Sequence, residues 1–273
     1  MIDSGPGIPD EATIVATLRA AGCVFAEEEA ALLRQAAASP GDLADLVARR
    51  VHGIPLEHLL GWVEFHGHRV TVGPGVFVPR RRTAFLVDRV VEYSMARPGD
   101  RRTVLDLCCG SGALGLAATR ALRAAGVAVH LIAADIDPAA VACARRNLEP
   151  LGGRVFRGDL FTPLPGEPIG RVDLLLANTP YVPTGMITRM PPEARDHEPR
   201  GALDGGSDGL DVLRRVATEA RRWLAVDGRL FVETSESQSD TAAAIIERSG
   251  LAPSIAHSPQ DGTIVVEGTR VAL

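Results

Sequence analysis

From Thr83 onward the chain alternates strand-like and helix-like segments, and this alternation restricts it to a parallel sheet covered by helices, an α/β doubly wound architecture. Apolar runs predict strands at 102–107, 128–134, 153–157, 171–177, 227–233, 251–257 and 262–268. Helical spacing predicts helices near 83–96, 112–125, 137–149, 209–225 and 237–249. The last two of the seven strands follow one another with no helix between them, so they read as an antiparallel hairpin. Folds of this kind bind ligands beyond the carboxyl ends of their strands, which directs the search for function to the residues that end each strand.

The chain upstream has a different rhythm. Between about Asp10 and Arg50 apolar residues recur at helical spacing, as in Ile14, Leu18 and Ala21, then Ala30, Leu33 and Ala37, then Leu43, Leu46 and Val47. Breaks at Gly22-Cys23 and Ser39-Pro40-Gly41 divide this into three short helices, with Asp42 or a neighbour capping the third. From Trp62 to Val72 the period changes to two, with Gly67 at a hairpin turn. The expected organisation is a small helical substrate-recognition domain at 1–60, a β-hairpin linker at 61–79 and the α/β domain at 80–273.

Composition narrows the setting. With 273 residues, 46% of them hydrophobic, the chain can bury a full α/β core and a smaller one besides. No apolar stretch approaches the ~20 residues of a membrane span. The segment Met1-Ile2-Asp3-Ser4-Gly5-Pro6 lacks a basic region followed by an apolar one, so a soluble, unexported protein is expected. Four cysteines, Cys108 and Cys109 adjacent, form neither a secreted disulfide framework nor C-x-x-C metal spacing, which predicts a reducing cytoplasm and no metal. The formal charge of −5 disfavours a nucleic-acid backbone as partner. All 29 basic residues are arginine, which reads as the coding bias of an Ala-, Gly- and Pro-rich chain.

Three strand ends carry groups suited to a nucleoside-bearing cofactor. After Val104-Leu105-Asp106, the turn Leu107-Cys108-Cys109-Gly110-Ser111-Gly112 has two glycines that admit close backbone approach, and a helix beginning near Ala113 can receive a carboxylate at its N-terminus. The next strand ends at Asp135, where a carboxylate accepts ribose hydroxyls, while Asp137 followed by Pro138 caps the next helix. The third ends at Arg157-Gly158-Asp159-Leu160-Phe161, where Asp159 can accept from an adenine amino group beside the apolar Leu160.

The fourth strand closes with Asn178-Thr179-Pro180-Tyr181. An amide, a rigid turn and an aromatic ring are what is needed to hold a planar nitrogen beside a methyl donor, which points to methyl transfer onto nitrogen. The Asn178 side chain and the Thr179 carbonyl can each accept one N–H of an amide, with Tyr181 stacked over its plane and Pro180 keeping register. Two other groupings read as bland: His197-Glu198 as a solvated loop, and Arg80-Arg81-Arg82 as either an anion site or an exposed turn.

With these residues in place the chain resembles the HemK-type protein glutamine N5-methyltransferases, which modify peptide-chain release factors. The likeness runs from Gly53-Ile54-Pro55-Leu56-Glu57-His58-Leu59-Leu60-Gly61 through Val76-Phe77-Val78-Pro79-Arg80 to Gln238. Its most specific stretch is Glu198-Pro199-Arg200-Gly201-Ala202-Leu203-Asp204-Gly205-Gly206-Ser207-Asp208-Gly209-Leu210-Asp211. The resemblance implies a class I methyltransferase, Rossmann-like seven-stranded fold, S-adenosylmethionine as cofactor, a helical N-terminal recognition domain and a glutamine amide in a protein, such as a release factor, as acceptor. It places Asp106, Cys108, Gly110, Ser111 and Gly112 around the methionine moiety, Asp135 on the ribose and Asp159 with Leu160 at the adenine. Asn178 through Tyr181 become the acceptor clamp, Asn178 bordering the cofactor as well.

The chain departs from the family pattern at four places. Asn-Pro-Pro-Tyr is Asn178-Thr179-Pro180-Tyr181, and Pro-Arg-Pro-Glu-Thr-Glu is Pro79-Arg80-Arg81-Arg82-Thr83-Ala84. Cys108 stands at the first glycine of the turn, and the segment from Glu233 to Gln238 lacks its usual glycine. The competing readings are a methyltransferase for the exocyclic amino group of a nucleic-acid base or a small metabolite, and a cofactor-binding module without activity. No feature fixes the oligomeric state.

Overall fold

The computed structural model describes residues 10–272, so the expectation for the first residues lies outside the described part. Three helices come first, α1 (Glu11–Ala20), α2 (Ala26–Ala36) and α3 (Pro40–Val51), followed by the short α4 (Leu56–Leu60). Asp10 caps α1 by accepting from the Thr13 N–H, and Ser39, the neighbour of Pro40, caps α3 by accepting from the Asp42 N–H. Ile14, Leu18, Ala26, Ala30, Leu33, Leu43 and Leu46 form one apolar cluster, with Leu56, Leu59 and Leu60 of α4 packed against it. Within it Arg50 donates to buried Glu29 at 2.6 Å. α4 was missed in the sequence because five residues are too few to show a period, and it ends at Gly61 with φ 78°.

The hairpin follows as β1 (Trp62–Phe65) and β2 (His68–Thr71), with Phe65 opposite His68. His66 and Gly67 both have positive φ, as a two-residue hairpin loop requires.

The large sheet holds β3 (Arg101–Leu107), β4 (Ala128–Asp135), β5 (Arg154–Arg157), β6 (Val172–Ala177), β7 (Leu224–Thr234), β8 (Ala252–His257) and β9 (Ile264–Thr269). Their spatial order is β5-β4-β3-β6-β7-β9-β8, with the first five parallel and β9 antiparallel to both neighbours. The last strand thus inserts between β7 and β8. One face carries α5 (Ala84–Met95), α6 (Ala113–Ala124) and α7 (Pro138–Leu148); the other carries α9 (Asp211–Trp223) and α10 (Ser239–Arg248), while the short α8 (Pro192–His197) lies in the loop between β6 and α9. Strand residues alternate between the two cores, Val104, Leu131 and Leu174 to one and Leu105, Ile132 and Leu175 to the other. Both faces are covered, which is why these strands read as continuous apolar runs.

Strands β3 and β6 run parallel, but the order in which successive strands are added reverses between them, and a crevice opens at this switch point beyond the strands' carboxyl ends. Register brings Leu107 level with Ala134 and Ala177, so the segments after β3, β4 and β6 begin side by side. Asn147 of α7 joins the hairpin to this edge: it accepts from the Thr71 N–H, donates to the Thr71 carbonyl, and donates to the Ser111 carbonyl at 2.8 Å.

Candidate active site

A cavity of about 620 Å³ occupies the crevice. Its floor on one side is the turn after β3. Cys108, Gly110 and Gly112 all have positive φ, at 53°, 54° and 80°. The Gly112 N–H closes the turn on the Cys109 carbonyl at 2.7 Å. Cys108, Gly110 and Ser111 line the cavity, but two residues assigned to it from sequence stand behind the wall. Gly112 is bare because a Cβ there would meet Leu148 at 2.9 Å, a packing reason. Asp106 is fully buried under α6 and accepts from the Gly115 N–H at 2.9 Å. It shapes the turn from below. Burial pushes its carboxyl up to about 7, against the backbone hydrogen bond that lowers it.

Asp135 ends β4 on the cavity wall. Its Oδ2 accepts from the Gly110 N–H at 2.8 Å and its Oδ1 from the Asp137 N–H at 2.9 Å. Burial raises its pKa and the backbone N–H groups oppose that. Asp137 caps α7, accepting from the N–H groups of Ala139 and Ala140. Between them Ile136 is 65% exposed and lines the cavity. Sequence reasoning passed over Ile136, although an isoleucine directly after a strand-ending carboxylate was the available signal.

Beyond β5, Asp159 and Leu160 line the same cavity, Leu160 with φ 47°. Asp159 does not stand alone: Arg215 of α9 donates to its Oδ2 at 2.5 Å. Nothing local in the sequence couples positions 56 residues apart.

Asn178 through Tyr181 form the opposite wall. The Asn178 Oδ1 is buried and has no hydrogen-bond partner among the described residues, and Thr179 is 3% exposed. Tyr181 is held at both ends. Its backbone carbonyl accepts from Gln238 Nε2 at 2.9 Å, and its hydroxyl donates to Glu233 Oε1 at 3.0 Å while accepting from Arg82 Nη2 at 2.7 Å. Burial and the nearby Glu233 push the phenol up to about 12 despite Arg82, so it stays protonated.

The loop between Glu198 and Asp211 folds directly behind this wall. Val182 exchanges backbone hydrogen bonds with Leu203 and Gly205, and Gln238 bridges Tyr181 to the Asp208 carbonyl. A Cβ on Gly205 would lie 2.6 Å from the Pro180 carbonyl, and one on Gly209 would lie 2.3 Å from the Tyr181 carbonyl. At the loop's start, Glu198 is 6% exposed, accepts from the Val78 N–H and pairs with Arg80 at 2.6 Å. The solvated-loop expectation therefore fails for Glu198, because the Arg80 guanidinium compensates its burial. His197 is half-buried against Gly53 and lies off the cavity. Of the three consecutive arginines, Arg80 pairs with Glu198 and Arg82 with Glu233 and both line the cavity, the Arg82 side chain remaining 53% exposed, while Arg81 is exposed and off the cavity. Phe65 and Phe77, from the hairpin and the segment after it, also line the cavity.

The sheet order, with a cavity at its switch point, is that of the class I methyltransferase fold. Residues 69–190 match the family model of the methyltransferase small domain. The chain is 37% identical over 238 residues to the release factor glutamine methyltransferase of Geobacter sulfurreducens, covering 85% of this chain and 80% of that protein. It is 40% identical over 209 residues to the ribosomal protein uL3 glutamine methyltransferase of Burkholderia pseudomallei, covering 74% and 67%. A methyltransferase structure from Pyrococcus furiosus shares the fold, with a TM-score of 0.54 at 14% identity over 76% of this chain and 90% of that one. The chain belongs to the HemK-type protein glutamine methyltransferase family.

Proposed function

We propose that this chain transfers the methyl group of S-adenosylmethionine to the side-chain amide nitrogen of a glutamine in a protein, a peptide-chain release factor in the cytoplasm. The observation that carries this reading is Asn178 Oδ1, a buried acceptor with no partner on the wall facing the Gly110 turn. A buried acceptor left unsatisfied costs about 1–3 kcal/mol, and a substrate N–H removes that cost.

The residues fit the cofactor. Open space above Gly110, the start of the twelve-residue α6, the Asp135 carboxylate, the exposed Ile136 and the Asp159 carboxylate would hold its methionine, ribose and adenine parts in that order. Bound S-adenosylmethionine supplies an electrophilic methyl group. The chain's own residues supply position. An amide nitrogen is a poor nucleophile because its lone pair is delocalised into the carbonyl. Asn178 Oδ1 and the Thr179 carbonyl take its two N–H groups and turn its face to the methyl donor, while the Tyr181 ring covers the amide plane. The proton leaves to solvent.

The helical cluster through residue 60, which buries a core of its own, serves recognition, and the segment 61–79 joins it to the transferase at 80–273, with Val63, Phe65, Val70 and Val72 of the hairpin packed into the transferase core. Arg50 donates to Glu193 of α8 at 3.1 Å as well as to Glu29, so the helices are tied to the segment that follows the clamp.

Labelled S-adenosylmethionine incubated with the host lysate, followed by mass spectrometry, tests the proposal. Label on a release-factor glutamine is the expected result. Label on nucleic acid or a metabolite, or cofactor binding with no transfer, would overturn it.

A further inference from the structure

We infer that Arg82 is a positioning residue that fixes the Tyr181 ring over the acceptor amide, by closing a three-membered hydrogen-bond ring with Tyr181 and Glu233. This rests on the acceptor reading of the Asn178–Tyr181 wall.

Arg82 Nη2 donates to the Tyr181 hydroxyl at 2.7 Å, Arg82 Nε donates to Glu233 Oε1 at 3.2 Å, and the Tyr181 hydroxyl donates to that same oxygen at 3.0 Å. Each member thus constrains the other two. Glu233 side-chain exposure is 3%, so its charge needs a counter-ion, and Arg82 is the cation that touches it. With the charge compensated, Glu233 Oε1 remains an acceptor and holds the phenol in one direction. A single hydroxyl bond would let the ring swing about χ1 and χ2; the closed ring stops that. The guanidinium fork is required, because one side chain has to donate to two oxygens at fixed spacing. Arg82 also lines the cavity.

The test combines two measurements on the full chain. With purified release factor as acceptor, Arg82→Ala should lower kcat ~10-fold or more, the scale of lost positioning, with cofactor affinity unchanged. Arg82→Lys should recover only part of the loss. In a Tyr181→Phe background, which has no hydroxyl to brace, Arg82→Ala should change kcat by less than about 2-fold, and this double-mutant comparison cancels any general loss of stability. Losses that multiply across the two backgrounds would overturn the proposal. The second measurement needs no acceptor. The chain has two tyrosines, Tyr93 and Tyr181, so protein labelled with 3-fluorotyrosine gives two fluorine resonances, assigned by Tyr93→Phe. Arg82→Ala should broaden or shift the Tyr181 resonance and leave that of Tyr93 in place; an unchanged Tyr181 signal would overturn the brace. Failure of the acceptor reading is distinguishable, since it would show as wild-type turnover by Asn178→Ala while the fluorine signals still report on Arg82.

Discussion

The Gly110 N–H donates to Asp135 Oδ2 at 2.8 Å, so the carboxylate that ends β4 is locked to the turn that follows β3. Each carboxylate oxygen has two lone-pair sites and each uses one on backbone, leaving the other free to face the cavity. Asp135→Ala should weaken S-adenosylmethionine binding by about 1.5–3 kcal/mol for each charge-assisted bond lost. Calorimetry reads this directly, and unchanged affinity would remove Asp135 from the ribose.

Asn178→Ala removes the unpartnered acceptor without touching the cofactor turn. The transfer rate should drop by ~100-fold or more, the scale of a misplaced reacting group, with little change in cofactor affinity. Single-turnover rates beside calorimetry separate the two effects.

Thr179→Pro should retain activity. Among the described residues the Thr179 N–H enters no backbone hydrogen bond, so proline loses nothing there, and its carbonyl is kept. A strong loss of turnover would show that the side chain or N–H has a role in the clamp.

Cys108 holds φ 53° with a side chain, a conformation that costs an L-residue about 1–2 kcal/mol relative to glycine. Cys108→Gly should therefore stabilise the protein, net of the greater entropy of an unfolded glycine, by about 1 kcal/mol or roughly 2 °C in Tm. Differential scanning calorimetry checks it; a lowered Tm would mean that thiol packing outweighs the strain.

Asp106 titrates at about 7 in the fold against roughly 3.9 in an unfolded chain. The folded state therefore binds the proton more tightly, and the group's contribution to stability is full below about pH 4 and is lost as pH rises through 7. Urea unfolding from pH 4 to 8 should show this downward slope, and Asp106→Asn should flatten it. An identical slope in both proteins would assign the dependence elsewhere.

Much of this molecule could be read before its structure. The parallel strands are buried on both faces, so their apolar runs stand out, and helix starts such as Asp137-Pro138 carry their own caps. What stayed hidden is what arises between distant segments. The insertion of β9 between β7 and β8 leaves no local trace, since a hairpin reads the same wherever it docks. β7 starts at Leu224, three residues before the expected 227, because Leu224 pairs with Val172 ahead of a register shift. Asp159 was visible and Arg215 was not, and Tyr181 was visible without its partners Arg82 and Glu233. Sequence located the chemical groups on strand ends; only the fold shows which helices hold them still.

The glycines at 205 and 209 lie so close to the carbonyls of Pro180 and Tyr181 that no other residue fits without moving the main chain. The rear of the proposed clamp is in that sense a casting with no tolerance. Under the proposed function, a change of client protein would be written elsewhere on the cavity lining, in side chains such as Phe77 that the segment after the hairpin brings to it. On that reading the main chain behind Pro180 and Tyr181 fixes how an amide is held, and the exchangeable side chains around the cavity decide whose amide it is.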